Sequence, residues 1–285
     1  MADFAFEALG THWSILIEGD DLQGPTLQEF VLRFEKKYSR FLPDSEVSRI
    51  NKSKKREFRV SDDLATMLTL GKKLEELTEG HFNLNLKRLM SGYGYDAKLS
   101  LEPRPKEIKP PQGKFYLEGQ ILYKGPEVEF DLGSLGKGYL IDQVAGLLKT
   151  NGLSSYIIDG GGDIYGSIKA DGRPWNIAIE HPSRPEQIIG SVELSNRALA
   201  SSSANKRRFR NFHHLLDAVA AIPTNEILAV SVLADQAAVA DACATAIFVS
   251  PSKFWPVIAR EFKIDYLVVL PDLSYQKTDD FPELF

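Results

Sequence analysis

Asp241 and Thr245 stand four residues apart in Ala240-Asp-Ala-Cys-Ala-Thr245. On a helix this spacing stacks a carboxylate and a hydroxyl on one face. The pair suits a hard, oxygen-seeking cation such as Mg2+, whose other ligands would come from backbone, water or phosphate. Taken alone, it also reads as a surface Asp beside an unrelated Thr, with small Ala and Cys243 packing behind.

Three further constellations carry possible chemistry. Asp131-Leu-Gly-Ser-Leu-Gly-Lys-Gly138 opens a helix, where glycines let backbone approach an anion, free N–H groups favour it and Lys137 adds charge. It is not a Walker loop, because Asp131 and Gly138 occupy the positions that need Gly and Ser or Thr. A Gly-rich turn with a surface lysine is the other local reading. Asp159-Gly-Gly-Gly-Asp163 is either a tight turn between strands or a place where another segment or a ligand passes close to the backbone. In Phe212-His-His-Leu-Leu-Asp217, His214 and Asp217 have the spacing of a general base and its orienting partner.

Period-2 alternation predicts a strand over His12 to Glu18, with Trp13, Ile15 and Ile17 on one face. Further strands are expected at Glu127–Asp131, Tyr156–Ile158, Ile164–Ile168, Trp175–Glu180, Ser191–Leu194, Ile227–Leu233 and Tyr266–Leu270, with a hairpin through Lys114–Tyr123. Helices are expected over Pro25–Tyr38, Asp62–Glu79 with Ser61 as N-cap, Tyr139–Thr150, Asp235–Phe248 with Asp235 as N-cap, and Lys253–Phe262. Ser39 to Asn51 reads as turn-rich chain. Strands and helices intermix without a regular strand–helix repeat, which favours an α+β fold with mixed or antiparallel sheets over a doubly wound parallel one.

The chain has 285 residues and a net charge of −5, which argues against a nucleic-acid reader needing a basic face. Its single cysteine, Cys243, excludes an intrachain disulfide and a cysteine-based zinc site. No apolar run is long enough to span a membrane, and Met1 to Glu7 lacks the basic start of a secretion signal, so the expected location is cytoplasmic.

In type and order these segments resemble the ApbE family, the Mg2+-dependent FAD:protein FMN transferases once described as thiamine biosynthesis lipoproteins. The blocks that carry the resemblance are Leu9-Gly-Thr-His-Trp-Ser-Ile15, Ser39-Arg-Phe-Leu-Pro-Asp-Ser-Glu-Val-Ser-Arg-Ile-Asn51, Asp131 to Asp142, Tyr156 to Ile164, and Ala240 to Thr245. The resemblance implies a T-fold-like single unit over residues 1–285. It also implies FAD over Leu9, Phe41 and the His81-Phe82-Asn83 turn, in contact with Asp131, Lys137 and the backbone near Leu215. Mg2+ would be held by Asp241, Thr245 and an oxygen of Ser134. The implied reaction is attack by a Thr or Ser hydroxyl of an acceptor flavoprotein on the FMN phosphorus, with AMP leaving and His214 as the base.

The sequence departs from the family pattern in four places. The opening Met is Leu9, and the Gly-x-aromatic-Asp-x-Thr turn reads Gly80-His-Phe-Asn-Leu-Asn85. The Ala-Thr-Ser-Gly-x-Tyr block is reduced to Ala200-Ser-Ser-Ser-Ala-Asn205, and Ala218-Val-Ala-Ala221 replaces Pro-Arg-Thr-Gly. Two alternatives follow: an FAD pyrophosphatase that uses water in place of the acceptor, and a non-catalytic flavin-binding paralogue.

Overall fold

The computed structural model describes residues 2–19, 24–96, 100–204, 208–209 and 212–284. Asn205, the last residue of the altered serine block, lies outside them. Eight strands form one antiparallel sheet whose spatial order is the chain order. They are β1 (Ala2–Ala8), β2 (Thr11–Ile17), β3 (Tyr156–Gly160), β4 (Ile164–Gly166), β5 (Arg197–Ser203), β6 (Ala229–Ala234), β7 (Asp265–Val269) and β8 (Tyr275–Lys277). Ala8 pairs with Thr11, so Leu9 and Gly10 form a two-residue turn, both at positive φ, as a hairpin turn of matching twist requires.

Alternation assigns the two faces of the sheet. Trp13, Ile15, Ile17, Ile158, Val230 and Val232 point to a helical layer and are fully buried. Leu199, Leu233, Leu267 and Val269 point the other way, where a long hairpin, Trp175–His181 with Arg184–Leu194, covers them through Trp175, Ile179, Val192 and Leu194. The helices are α1 (Gly24–Tyr38), α2 (Glu46–Lys52), α3 (Asp62–Leu77), α4 (Lys87–Gly92), α5 (Gly136–Thr150), α6 (Ala237–Val249) and α7 (Trp255–Phe262). Helix α6 is apolar on nearly all sides because β5, β6, α3, α5 and α7 surround it. A small satellite sheet joins Glu57–Arg59, Ile121–Lys124 and Phe115–Glu118, which includes the expected hairpin.

The α+β architecture with antiparallel sheets is as expected, and Ser61 caps α3 by accepting the Leu64 N–H. Four differences from the expected elements bear on the site. The segment Ser39–Asn51 contains helix α2, capped by Ser45. Helix α5 begins at Gly136, inside the glycine-rich loop, and not at Tyr139.

Glu127–Asp131 is not a strand. Val128 and Phe130 are buried, as the alternation implies, but no strand ladder forms. Single main-chain bonds tie the Asp131 N–H to the Leu84 carbonyl and the Glu129 carbonyl to the Lys87 N–H, and asparagine side chains take the rest of the Glu129–Phe130 backbone. Asn51 brackets Phe130, and the Asn85 Oδ1 accepts the Glu129 N–H at 2.7 Å.

The fourth difference concerns the start of α6. Asp235 does not cap it, and the helix begins at Ala237. Its cap comes from α5: Asp142 Oδ1 accepts the Ala237 N–H at 2.8 Å, and Oδ2 the Ala238 N–H at 2.9 Å.

Candidate functional site

Phe41, Phe82, Asn83, Asp131, Ser134 and Lys137 line one cleft. His214, Leu215, Asp241 and Thr245 line the same cleft. Leu9 and His81 are not among its lining residues, although both sit on segments next to it. The Leu9-Gly10 turn is followed by Thr11, and a Cβ on Gly161 would lie 2.1 Å from Thr11 Oγ1. Thus the glycine run lets the β1–β2 hairpin press against a cleft-lining turn.

The Ser39–Asn51 block acts mainly as a positioning device. Ser48 Oγ donates to the Arg40 carbonyl at 3.2 Å, and Glu46 accepts both the N–H and the hydroxyl of Ser61 at the head of α3. Arg40 is nearly buried and forms an ion pair with Asp131, Nε to Oδ2 at 2.6 Å. Its guanidinium also lies 4.1 Å from the centre of the Phe41 ring and donates to the Tyr95 carbonyl at 2.9 Å. Phe41 itself is 40% exposed, so one aromatic surface stays open at the cleft.

The amides at Asn83 and Asn85 have definite structural work. Asn83 Oδ1 accepts the Asn85 N–H at 2.8 Å, and Asn85 Nδ2 donates to the Gln112 carbonyl at 2.7 Å. Asn85 and Asn51 therefore hold from two sides the extended segment that delivers Asp131. Asp131 Oδ1 in turn accepts the Gly133 N–H at 2.9 Å, turning the chain into the loop of Ser134 and Lys137.

Helices α5 and α6 meet at Gly138. A Cβ there would fall 2.1 Å from the Ala237 carbonyl oxygen, so only glycine permits this approach. The Gly138 N–H donates to Asp241 Oδ2 at 3.0 Å. Lys137 Nζ lies 3.4 Å from each Asp241 oxygen and also hydrogen-bonds Asp163. Burial and the neighbouring Asp163 charge push the Asp241 carboxyl upward, while Lys137 and the Gly138 amide pull it down. Thr245 sits one turn further along α6, with its hydroxyl 3.4 Å from Ser202 Oγ. Cys243 is fully buried between them, and burial raises its thiol pKa.

The expected His214–Asp217 pair does not form. Asp217 Oδ1 is 2.9 Å from His81 Nδ1, and His214 instead faces Tyr95, ring centres 6.5 Å apart. In this two-residue strand (Leu216–Asp217), Asp217 is turned toward the chain end after α3, where its backbone neighbour Ala218 donates to the His81 carbonyl at 3.0 Å.

Two residues that lie in the motifs above but carry no site role of their own in the sequence reading join the site. Asp163, which closes the glycine run, is buried beside Lys137, and Arg40 is the counter-ion of Asp131. A carboxylate after three glycines and a strand-adjacent position was the available signal for Asp163. Among the described residues no three His, Cys, Asp or Glu side chains converge as a metal cage. A cation at Asp241 would therefore complete its shell with hydroxyl, backbone or phosphate oxygens.

An antiparallel α+β fold whose central helix delivers a carboxylate and a hydroxyl to a lysine-bearing, glycine-rich loop defines a cleft suited to a charged ligand. The chain belongs to the ApbE family, whose model matches residues 9–268. It is 30% identical over 258 residues to the FAD:protein FMN transferase of Vibrio cholerae serotype O1, covering 85% of this chain and 75% of that protein. It is also 30% identical over 265 residues to the FAD:protein FMN transferase of Haemophilus influenzae, covering 84% and 76% respectively. Among solved structures, the flavin transferase ApbE from Vibrio cholerae superposes with a TM-score of 0.82 at 25% identity, covering 97% of this chain and 96% of that one. The ApbE protein from Thermotoga maritima shares the fold, with a TM-score of 0.86 at 24% identity and coverage of 98% and 97%. Among the described residues, no helix is long and apolar enough to cross a membrane.

Proposed function

We propose that this chain is an Mg2+-dependent FAD:protein FMN transferase. A Thr or Ser hydroxyl oxygen of an acceptor flavoprotein forms a bond to the FMN phosphorus of FAD. The pyrophosphate P–O bond breaks, and AMP leaves with the bonding electron pair. The observation that carries this reading is the gathering of Lys137, Asp241 and Thr245 in the same cleft as Phe41, Phe82 and Tyr95.

The donor set fits Mg2+. Asp163 and Asp241 are both buried and share one ammonium, which leaves a negative charge that a cation would balance. Asp241, Thr245 and an oxygen of Ser134 would hold the ion. A cation held there would supply positive charge to offset that of the pyrophosphate.

The chain's own residues do the rest. Lys137 pairs with the phosphates, while Asp131, fixed by Arg40 and the asparagine clamp, orients the nucleotide. Phe41 and Phe82 offer apolar surface to the flavin, with the Leu9 turn, the His81–Asn83 turn and the Leu215 backbone flanking it. His214 takes the proton from the acceptor hydroxyl.

Incubation with FAD, Mg2+ and an acceptor domain, followed by AMP release and acceptor mass, tests this reading. An FMN-sized mass gain on the acceptor matched by AMP supports it. AMP with only free FMN points to a pyrophosphatase, and FAD retained unchanged points to a flavin-binding protein.

A further inference from the structure

Lys137 stands between two carboxylates that cannot turn to water. The side chains of Asp163 and Asp241 are 4% and 6% exposed, and each has a second anchor in the backbone. Asp163 Oδ1 accepts the Ser201 N–H at 3.3 Å, and Asp241 Oδ2 accepts the Gly138 N–H at 3.0 Å. The ammonium is shared unequally: it hydrogen-bonds Asp163 closely and lies 3.4 Å from both oxygens of Asp241. The three groups sum to one negative charge in a buried setting, where charge imbalance costs most.

We propose that Lys137 is a resident counter-cation for Asp241, and that Asp163 is the residue that receives it when a divalent cation arrives. This rests on the metal site of the transferase reading and adds a role for Asp163, which that reading leaves unassigned. A divalent cation and an ammonium cannot both occupy the Asp241 oxygens, because like charges at contact distance repel strongly in a buried cluster. The closer bond to Asp163 gives the ammonium a place to remain, still in the cleft and still charged. Asp163 is thus a positioning residue that acts through Lys137.

Mn2+ binding, read from the electron paramagnetic resonance of the free ion without nucleotide, tests this. Lys137→Gln removes the competitor and is expected to bind Mn2+ about tenfold more tightly than wild type. Asp163→Asn releases the ammonium onto Asp241 and is expected to weaken binding about tenfold in the wild-type background. In the Lys137→Gln background the same change should cost less than about threefold, since its route of action is gone. Lys137→Arg, which keeps a cation on both carboxylates, is expected to weaken binding and serves if Lys137→Gln does not fold.

Unchanged or weaker binding by a folded Lys137→Gln overturns the proposal, as does an equal cost of Asp163→Asn in both backgrounds. If wild type binds Mn2+, Asp241→Asn loses it and Lys137→Gln is unchanged, only this proposal falls and the metal site stands. Wild type that binds no Mn2+ overturns both.

Discussion

Asn51 holds Phe130 by both backbone groups, donating to its carbonyl at 2.9 Å and accepting its N–H at 2.7 Å. The two residues are 79 positions apart, and the contact is buried. It substitutes for the strand ladder that the segment lacks, and it sets the chain one residue before Asp131. Replacing Asn51 by Leu leaves a buried donor and acceptor without partners. The expected loss is about 2–4 kcal/mol of stability, read from urea unfolding, together with weaker FAD binding in the remaining folded protein. Unchanged stability would show that the clamp is dispensable.

Gly138 is expected to reject even a methyl group. An alanine Cβ would meet the Ala237 carbonyl and the Asp241 Cβ, so α5 and α6 must separate. Gly138→Ala is expected to cost about 1–3 kcal/mol and to lower FAD turnover more than the stability loss alone would. A thermal melt and an initial-rate assay on the same preparation check the two effects. Wild-type values in both would mean the helices are not in contact there.

Asp142 provides a pH signature. Burial pushes its carboxyl up to about 6, against the two α6 amides that pull it down. The folded state therefore holds this proton where the unfolded chain, near the ordinary value of 3.8, has released it. Its contribution to stability is full below the unfolded value and falls as pH rises through about 6. Asp142→Asn removes that dependence. The stability of wild type relative to the variant should fall by about 2–3 kcal/mol between pH 4 and pH 7, measured by urea unfolding at each pH. A constant or rising difference would contradict the raised value.

Cys243 is expected to be chemically silent in the native protein. It is fully buried in α6 and its thiol is pushed well above the usual range. A thiol-reactive chromophore should label nothing in buffer and one equivalent in denaturant. Prompt native labelling would mean that α6 is open to solvent.

Much of this was legible in the sequence, and the exceptions share a cause. The buried stripe Trp13, Ile15 and Ile17, the Ser61 cap and the Asp241–Thr245 face all follow from local spacing, and local spacing is visible. What was hidden depends on partners far along the chain. Asp142 caps α6 from 95 residues away, and Asp217 pairs with His81 across 136. The alternation in Glu127–Asp131 correctly reported burial but could not report that asparagine side chains and isolated main-chain bonds, and not a strand ladder, take the hydrogen bonds. Helix α2 was hidden for a different reason: it has only seven residues and follows the turn-forming Pro43-Asp44, although Ser45 before Glu46-Val-Ser48 is a cap signal.

The most direct measurement is AMP release from FAD by the Asp241→Ala protein in Mg2+, with the acceptor present and wild type run alongside. The expected result is a loss of at least about a thousandfold in rate, since the carboxylate that would hold the metal is gone, with circular dichroism confirming a folded chain. AMP release within tenfold of wild type would contradict the assignment of the reaction to this cleft.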